Sequence, residues 1–280
     1  MSAGRTLKGL WRALLYLGAA ILVFQAAFPF FWMASTSLKP PGEVFAQPPS
    51  FVPQAPTWEN FWRLFTDTNF LVYFRNSLVV AGLAVGLTML VGATGAYSLT
   101  RYRYPGREQI ATLILCTYMF APIMIVIPFF ILVKKVGIEN THLALVLALS
   151  SFCLPFALWL LRAFFETIPI ELEEAAMVDG ASRLRAVVYV VVPLALPGVI
   201  ATSIFTFILA WNDYIFTRIL ISADELKTLP VGVQDLFHSA LIDWGLIMAA
   251  GVLVTIPALA FFVVVQRHLV AGWGSGGLKG

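Results

Sequence analysis

Six long stretches of this chain contain no Lys, Arg, Asp or Glu, and they constrain the fold more than any other feature. Each has 19 to 25 residues, and a helix needs roughly 20 residues to cross about 30 Å of hydrocarbon. They are apolar on all sides, unlike the amphipathic helices of a soluble core. The sequence therefore predicts an all-α membrane protein with six transmembrane spans, at residues 13–34, 77–99, 109–133, 143–161, 187–211 and 244–265.

An alternative for the first stretch is a secretory signal peptide, because Arg5, Lys8 and Arg12 precede it. Its 22 residues exceed the roughly 7–15 apolar residues of such a peptide, and no clear cleavage site follows. We expect a retained helix. The two cysteines, Cys116 and Cys153, fall inside predicted spans, so they are typical of packing residues rather than of a disulfide or metal pair.

The charges between the spans predict the orientation of the chain. The segments on the side of the termini carry eleven cations and six acids, whereas the opposite segments carry seven cations and nine acids. Since loops rich in Lys and Arg stay in the cytoplasm, both termini are predicted to be cytoplasmic, although Lys134 and Lys135 weaken this bias locally. The net charge of +3 is small and dispersed, which argues against a nucleic-acid partner.

The first part of the outer loop at residues 39–73 contains six prolines, and the loop continues as "TWENFWRLF". Trp58, Phe61, Trp62 and Phe65 recur at helical spacing, which predicts a short helix at the outer interface. Span two is rich in small residues that let helices approach closely in lipid, namely Gly82, Gly86, Gly92, Gly95, Ala81, Ala84, Ala93 and Ala96. Kinks are expected in spans three and five, at Pro122, Pro128, Pro193 and Pro197.

The stretch "ELEEAAMVDGASRLRAVVYVVVPLALPG", residues 171–198, is unusually acidic for a chain that is only 12% charged. Pro169 suits the first turn of a helix, and the acids that follow lie near the positive end of its dipole. Gly180 suits the left-handed residue that ends a helix. The pattern predicts a short cytoplasmic helix–turn–helix whose two alanines form a flat surface.

This stretch resembles the EAA motif of ABC importer permeases, roughly Glu-Ala-Ala-x3-Gly-x9-Ile-x-Leu-Pro. The match runs through Glu174-Ala175-Ala176 and Gly180 to Val190-x-Val192-Pro193, with Val where the motif has Ile and Leu. Other stretches resemble the smaller, maltose-type permease of carbohydrate importers, including "IPFFILVKKVGIENTHLAL", "FTFILAWNDYIF", "KTLPVGVQDL" and "GWGSGGLKG". The resemblance covers nearly all of residues 1–280 as a single transmembrane domain.

The resemblance implies a type I ABC importer permease fold with a coupling helix, in a loop at 166–190 between spans four and five, that docks on a cytoplasmic ATPase. It implies a heterodimer with a second permease subunit, two copies of an ABC ATPase, and a periplasmic or lipid-anchored substrate-binding protein, in a bacterial or archaeal cytoplasmic membrane. The loop Ser222–Asp243 resembles one that reaches toward the binding protein, and the tail "SGGLKG" one that reaches between the ATPases. The residues implied in ATPase coupling are Glu171, Glu174, Ala175, Ala176, Asp179, Gly180 and Arg183.

The chain lacks the G-x-x-x-x-G-K-[ST] phosphate loop and any nucleophile–base constellation, so the sequence predicts that it is not an enzyme. ATP and Mg²⁺ are expected on the partner ATPase, with no cofactor or metal bound by this chain. Ionisable groups near the membrane interior suggest function, and sugar sites combine polar and aromatic groups. The substrate-path candidates are Tyr118, Ser150, Ser151, Asn212 and Asp213, although Asp213 also suits an interfacial anchor.

The predicted function is import of a sugar or oligosaccharide by alternating access. Importers of glycerol phosphate or of a sugar alcohol share these motifs and stay open as an alternative. A proton-coupled secondary transporter using Asp213 would work without ATP or partner chains, and a membrane scaffold would show no substrate dependence.

Overall fold

The computed structural model describes residues 3–238 and 242–276, and within them it contains helices and no β-strand. Four helices are long and apolar enough to span a membrane, and two bent pairs raise the number of spans to at most six. This confirms the all-α membrane fold. The helices are α1 Ala3–Ser37, α2 Pro41–Val44, α3 Glu59–Thr66, α4 Phe70–Arg101, α5 Arg107–Thr117, α6 Pro122–Val136, α7 His142–Glu166, α8 Ile170–Val178, α9 Arg183–Ala186, α10 Val192–Leu194, α11 Leu196–Trp211, α12 Ile215–Leu220, α13 Leu229–Asp235 and α14 Trp244–Gly276.

The two bent pairs carry the prolines of spans three and five. Helices α5 and α6 meet at 99°, and Pro122 opens α6, where its missing N–H costs no hydrogen bond. The segments Arg183–Leu194 and Leu196–Trp211 meet at 77°, between Pro193 and Pro197. A π-helical stretch, Val187–Val191, precedes that bend. Kinks therefore occur in both spans as predicted, whereas α6 continues through Pro128.

The described residues fall into two compact units, and the first comprises residues up to 69 together with 235–256. The predicted short helix is present as α3, and Trp58, which precedes it, and Trp62, which lies on it, are both exposed. The Asn60 amide donates to the carbonyl oxygens of Ser37 (2.9 Å) and Lys39 (2.8 Å). The buried Lys39 ammonium donates to the Ser50 carbonyl at 2.5 Å and lies 4.6 Å from the centre of the Trp32 ring. The proline-rich loop is thus held by specific polar contacts.

The second unit comprises residues 70–234 and 257 onward, and its core is the packing of α4 on α7 and α11. Small residues of α4 face large residues of α7: a Cβ on Gly95 would lie 2.9 Å from Leu158 Cδ1, and one on Gly92 would lie 3.4 Å from Leu161 Cδ1. Close backbone approach of this kind is what small residues permit between membrane helices. Gly82 and Gly86, also on α4, instead border open space.

Candidate functional site

A short helix, a tight turn and a second helix follow α7, as the sequence predicts. Helix α8 begins after Pro169 and is stopped at Gly180, whose φ of +90° is rarely adopted by residues with a side chain. The Ala181 amide donates to the Ala176 carbonyl at 3.0 Å, which closes the turn. The Ser182 hydroxyl accepts from the Arg185 amide at 3.4 Å and caps α9. We call residues 170–186 the α8–α9 hairpin.

The face of the α8–α9 hairpin that points away from the rest of the chain is exposed, and we call it the open face. Of the seven coupling residues named from the sequence, Ala176 is half-buried and the others are exposed, namely Glu171, Glu174, Ala175, Asp179, Gly180 and Arg183. Apolar side chains next to these charged residues are also exposed, with Val178 at 87% and Leu184 at 74% of their full accessibility. Exposed apolar groups rimmed by charges are typical of a surface that binds another protein.

The inner face of α8 contains a buried carboxylate that the sequence reasoning did not assign. Glu173 is 3% exposed; one of its carboxylate oxygens accepts a hydrogen bond from the Tyr97 hydroxyl, and Oε2 lies 3.1 Å from Arg101 Nε. Residues Glu173, Ala176 and Met177 share one face by i, i+3, i+4 spacing. The one sequence feature that could have indicated a partner for Glu173 is the basic end of span two, which is predicted to lie on the same side of the membrane as α8.

Arg183, predicted to contact the ATPase, also contacts its own chain. Its guanidinium lies 5.3 Å from the centre of the Tyr102 ring, a cation–π distance. The Tyr102 ring in turn packs edge-on against the Tyr97 ring, with 6.1 Å between their centres. Both helices of the hairpin therefore contact residues at the end of α4.

The substrate-path candidates do not form one site within this chain. Asn212 and Asp213 line a cavity of about 330 Å³ that also includes Phe152, and the Tyr118 ring lies 5.8 Å from that of Phe152. Ser150 and Ser151 line a separate cavity of about 210 Å³. The polar residues predicted to line a substrate path are therefore divided between two separate regions of the chain.

Several of these polar groups form hydrogen bonds with backbone atoms of this chain. The half-buried Asp213 carboxylate accepts from the amides of Phe216 (3.2 Å) and Thr217 (2.9 Å), so it caps α12. The Asn212 amide donates to the Ile208 carbonyl at 2.8 Å, and the Ser150 hydroxyl donates to the Ala84 carbonyl at 3.3 Å. A role for these residues in a substrate path stays a prediction.

The segment predicted to reach toward a binding protein is anchored at its start. The Asn140 side-chain oxygen accepts from the amides of Ser222 and Ala223, both at 2.9 Å. The Asn76 amide donates to the carbonyls of Glu225 (2.8 Å) and Lys227 (3.0 Å). Residues 239–241 of this segment, and 277–280 of the terminal "SGGLKG", lie outside the described residues.

Comparison with known proteins identifies the relatives of this chain. Residues 1–274 match the family model described as binding-protein-dependent transport system inner membrane component. The chain is 38% identical to an inner membrane ABC transporter permease protein of Escherichia coli, YcjP, over 95% of both chains. It is 34% identical to the trehalose/maltose transport system permease protein MalG of Thermococcus litoralis, over 96% of this chain and 97% of that one. A chain of a bacterial alginate ABC importer has the same fold, with a TM-score of 0.83 at 24% identity over 95% of this chain and 98% of that one.

Proposed function

Because the chain belongs to the family of binding-protein-dependent transport system inner membrane components, we propose that it is a permease that carries a sugar or oligosaccharide through the cytoplasmic membrane. The family supplies the membrane component of ABC importers, and the chain is not an enzyme. The observation that carries the proposal is the open face of the α8–α9 hairpin, on which most residues of the EAA-like stretch are exposed. A sugar substrate is supported by the trehalose/maltose permease among the relatives, and a sugar alcohol or glycerol phosphate is the alternative.

In the proposed mechanism the hairpin docks in a groove of a cytoplasmic ATPase, which binds ATP and Mg²⁺. The small residues Ala175 and Gly180 allow close approach, while Glu171, Glu174 and Asp179 offer carboxylates to basic groups of the partner. Closure of the ATPase dimer then moves the permease helices between inward-open and outward-open states. Hydrolysis resets the cycle.

The proposed assembly contains a second permease subunit, two ATPase copies and a substrate-binding protein on the outer side. Lipid surrounds the apolar helices, and both termini are cytoplasmic, which the distribution of Lys and Arg supports. Tyr118, Asn212 and Asp213 are proposed to lie near one part of the sugar path and Ser150 and Ser151 near another. The second permease would complete that path.

The test compares two glycines that have the same backbone requirement. Gly180 and Gly137 have φ of +90° and +75°, and a Cβ at either would meet no neighbouring atom. An alanine at each adds strain of about 1–2 kcal/mol. We expect Gly180→Ala to reduce the ATPase that copurifies with the tagged chain from native membranes, because the strain distorts the hairpin, and Gly137→Ala to leave it unchanged. The second permease should copurify with both variants.

Equal ATPase recovery from both variants would contradict docking through the hairpin. The substrate is then identified by uptake into proteoliposomes that contain the copurified assembly, its binding protein and internal ATP. Maltose, trehalose, sorbitol and glycerol 3-phosphate are supplied as labelled probes. Uptake by the chain alone, driven by a proton gradient and indifferent to ATP, would replace the importer with the secondary transporter.

A further inference from the structure

The cytoplasmic end of α4, as the proposed orientation places it, is held at three points by the α8–α9 hairpin and by the turn that precedes it. The Glu173 carboxylate binds Tyr97 and Arg101, which lie one helical turn apart on α4. A second group of the Arg101 guanidinium, Nη2, donates to the Ile168 carbonyl at 3.0 Å, in the turn that leads from α7 into α8. Arg183 of α9 covers the Tyr102 ring just after α4 ends. Both arms of the hairpin thus hold one helix end.

The Glu173–Arg101 pair is shielded from water. The side chains are 4% and 7% exposed, and an apolar cluster lies next to them, namely Ala96, Leu161, Phe165, Ile168, Val191 and Ala195. Desolvating two charges costs about as much as their attraction returns, so apolar residues of similar volume would hold the two helices together equally well. What the ion pair adds over apolar packing is a fixed direction and register between α8 and α4.

Helix α4 links its contact with the α8–α9 hairpin to contacts at its opposite end. It runs without interruption over 32 residues, a length of about 48 Å at 1.5 Å per residue. Near its other end Asn76 binds the carbonyls of Glu225 and Lys227, and Ser77 accepts from the Leu229 amide at 2.8 Å. A displacement of the hairpin that α4 follows would therefore also reach residues 225–229.

We propose that Glu173, with Arg101 and Tyr97, is the joint through which the α8–α9 hairpin moves α4. The inference rests on the function proposed above and assigns different roles to two adjacent acids. Glu174, on the open face, binds the ATPase, whereas Glu173, on the buried face, passes the movement of the hairpin to α4. Glu173 is a positioning residue and contacts neither ATP nor sugar.

The first test compares Glu173→Gln with Glu174→Gln in the complete assembly, reconstituted with its binding protein. The two substitutions are isosteric and lie on adjacent residues. We expect Glu174→Gln to reduce the ATPase bound to the permease. Glu173→Gln should retain the bound ATPase yet transport about tenfold less sugar per ATP hydrolysed, within the range usual for coupling between two sites.

A second comparison separates the joint from simple structural support. Arg101→Gln alone leaves a buried carboxylate without its cation and should lower the melting temperature of the assembly. The double variant with Glu173→Gln removes both charges and should recover most of that melting temperature. The joint predicts that sugar transported per ATP stays low in the double variant. Structural support alone predicts that this ratio recovers together with the melting temperature, which would overturn the proposal.

The two proposals fail in different ways. If the wild-type assembly takes up none of the probes with ATP present, the proposed function is wrong. If the wild type transports sugar and Glu173→Gln keeps the wild-type ratio of sugar to ATP, the function stands and the joint is wrong. If Glu173→Gln does not assemble, the double variant Arg101→Gln with Glu173→Gln takes its place, because it removes the ion pair without leaving a buried charge unpaired. A wild-type ratio of sugar to ATP in the double variant would then overturn the joint.

Discussion

Adjacent residues of α8 have opposite environments. Glu174 belongs to the motif that the sequence displays, and its exposure agrees with a residue that binds a partner. Glu173 carries the same side chain one position earlier and is buried against α4. The sequence predicts a helix here, but which face of that helix is buried depends on where α4 lies, and local pattern does not contain that information. Prediction from sequence therefore identified the open face and missed the buried one.

Gly198 allows close approach of α11 to α7. A Cβ at this position would overlap the ring of Phe164 and lie 2.7 Å from the Phe164 Cβ. We expect Gly198→Ala to lower the stability of the protein by about 1–3 kcal/mol, the usual cost of overpacking. Thermal unfolding in detergent measures it.

The matched control is Gly82→Ala, in a helix with no atom near the added methyl group. Alanine favours a helix over glycine by about 1 kcal/mol, so this variant should be neutral or slightly more stable. An equal loss of stability in both variants would show that the packing of Gly198 on Phe164 is not the cause.

At the scale of elements, the sequence predicted the helices better than their bends. Uncharged length predicted long apolar helices, and proline predicted that spans three and five are not straight. The bend angles of 99° and 77° were beyond the sequence, because they depend on how each half packs. Proline also acts by position: Pro122 opens α6 beside a bend, whereas α6 continues through Pro128.

Helix α12 allows a test of Asp213. Two backbone amides of α12 bind its carboxylate, and asparagine caps a helix about as well as aspartate, whereas alanine loses about 0.5–2 kcal/mol. We expect Asp213→Asn to retain both ATP-driven uptake and melting temperature, and Asp213→Ala to lower the melting temperature. Uptake assays and thermal unfolding of both variants measure these effects.

A different result would restore the chemical role considered for Asp213. If Asp213→Asn melts normally but abolishes uptake, the charge itself is required for sugar binding or for proton coupling. Repeating the uptake with and without a proton gradient separates these two roles. The sequence alone could not distinguish these roles of Asp213, because an aspartate that caps a helix and one that binds substrate are the same residue in the sequence.

At the scale of the whole molecule, the chain leaves much of its apolar surface uncovered by its own residues. None of the most apolar part of Leu14–Ser37 is buried within the chain, against 56% for that of His142–Glu166. We propose that lipid and a second permease subunit cover this apolar surface. Composition predicted a membrane protein, but apolar residues that face lipid and those that face another subunit have the same hydropathy. The sequence therefore could not divide this surface between them.

Stabilisation by the proposed second permease is measurable through Cys153. This thiol is 1% exposed in the core of α7, whereas Cys116 is exposed, so Cys116→Ser leaves Cys153 as a reporter of unfolding. A partner that binds the folded state raises its apparent stability by mass action. We therefore expect maleimide labelling of Cys153 to begin at a higher temperature in the copurified assembly than in the chain alone. Labelling at the same temperature in both preparations would mean that no subunit stabilises this core, and the apolar surface would then be assigned to lipid alone.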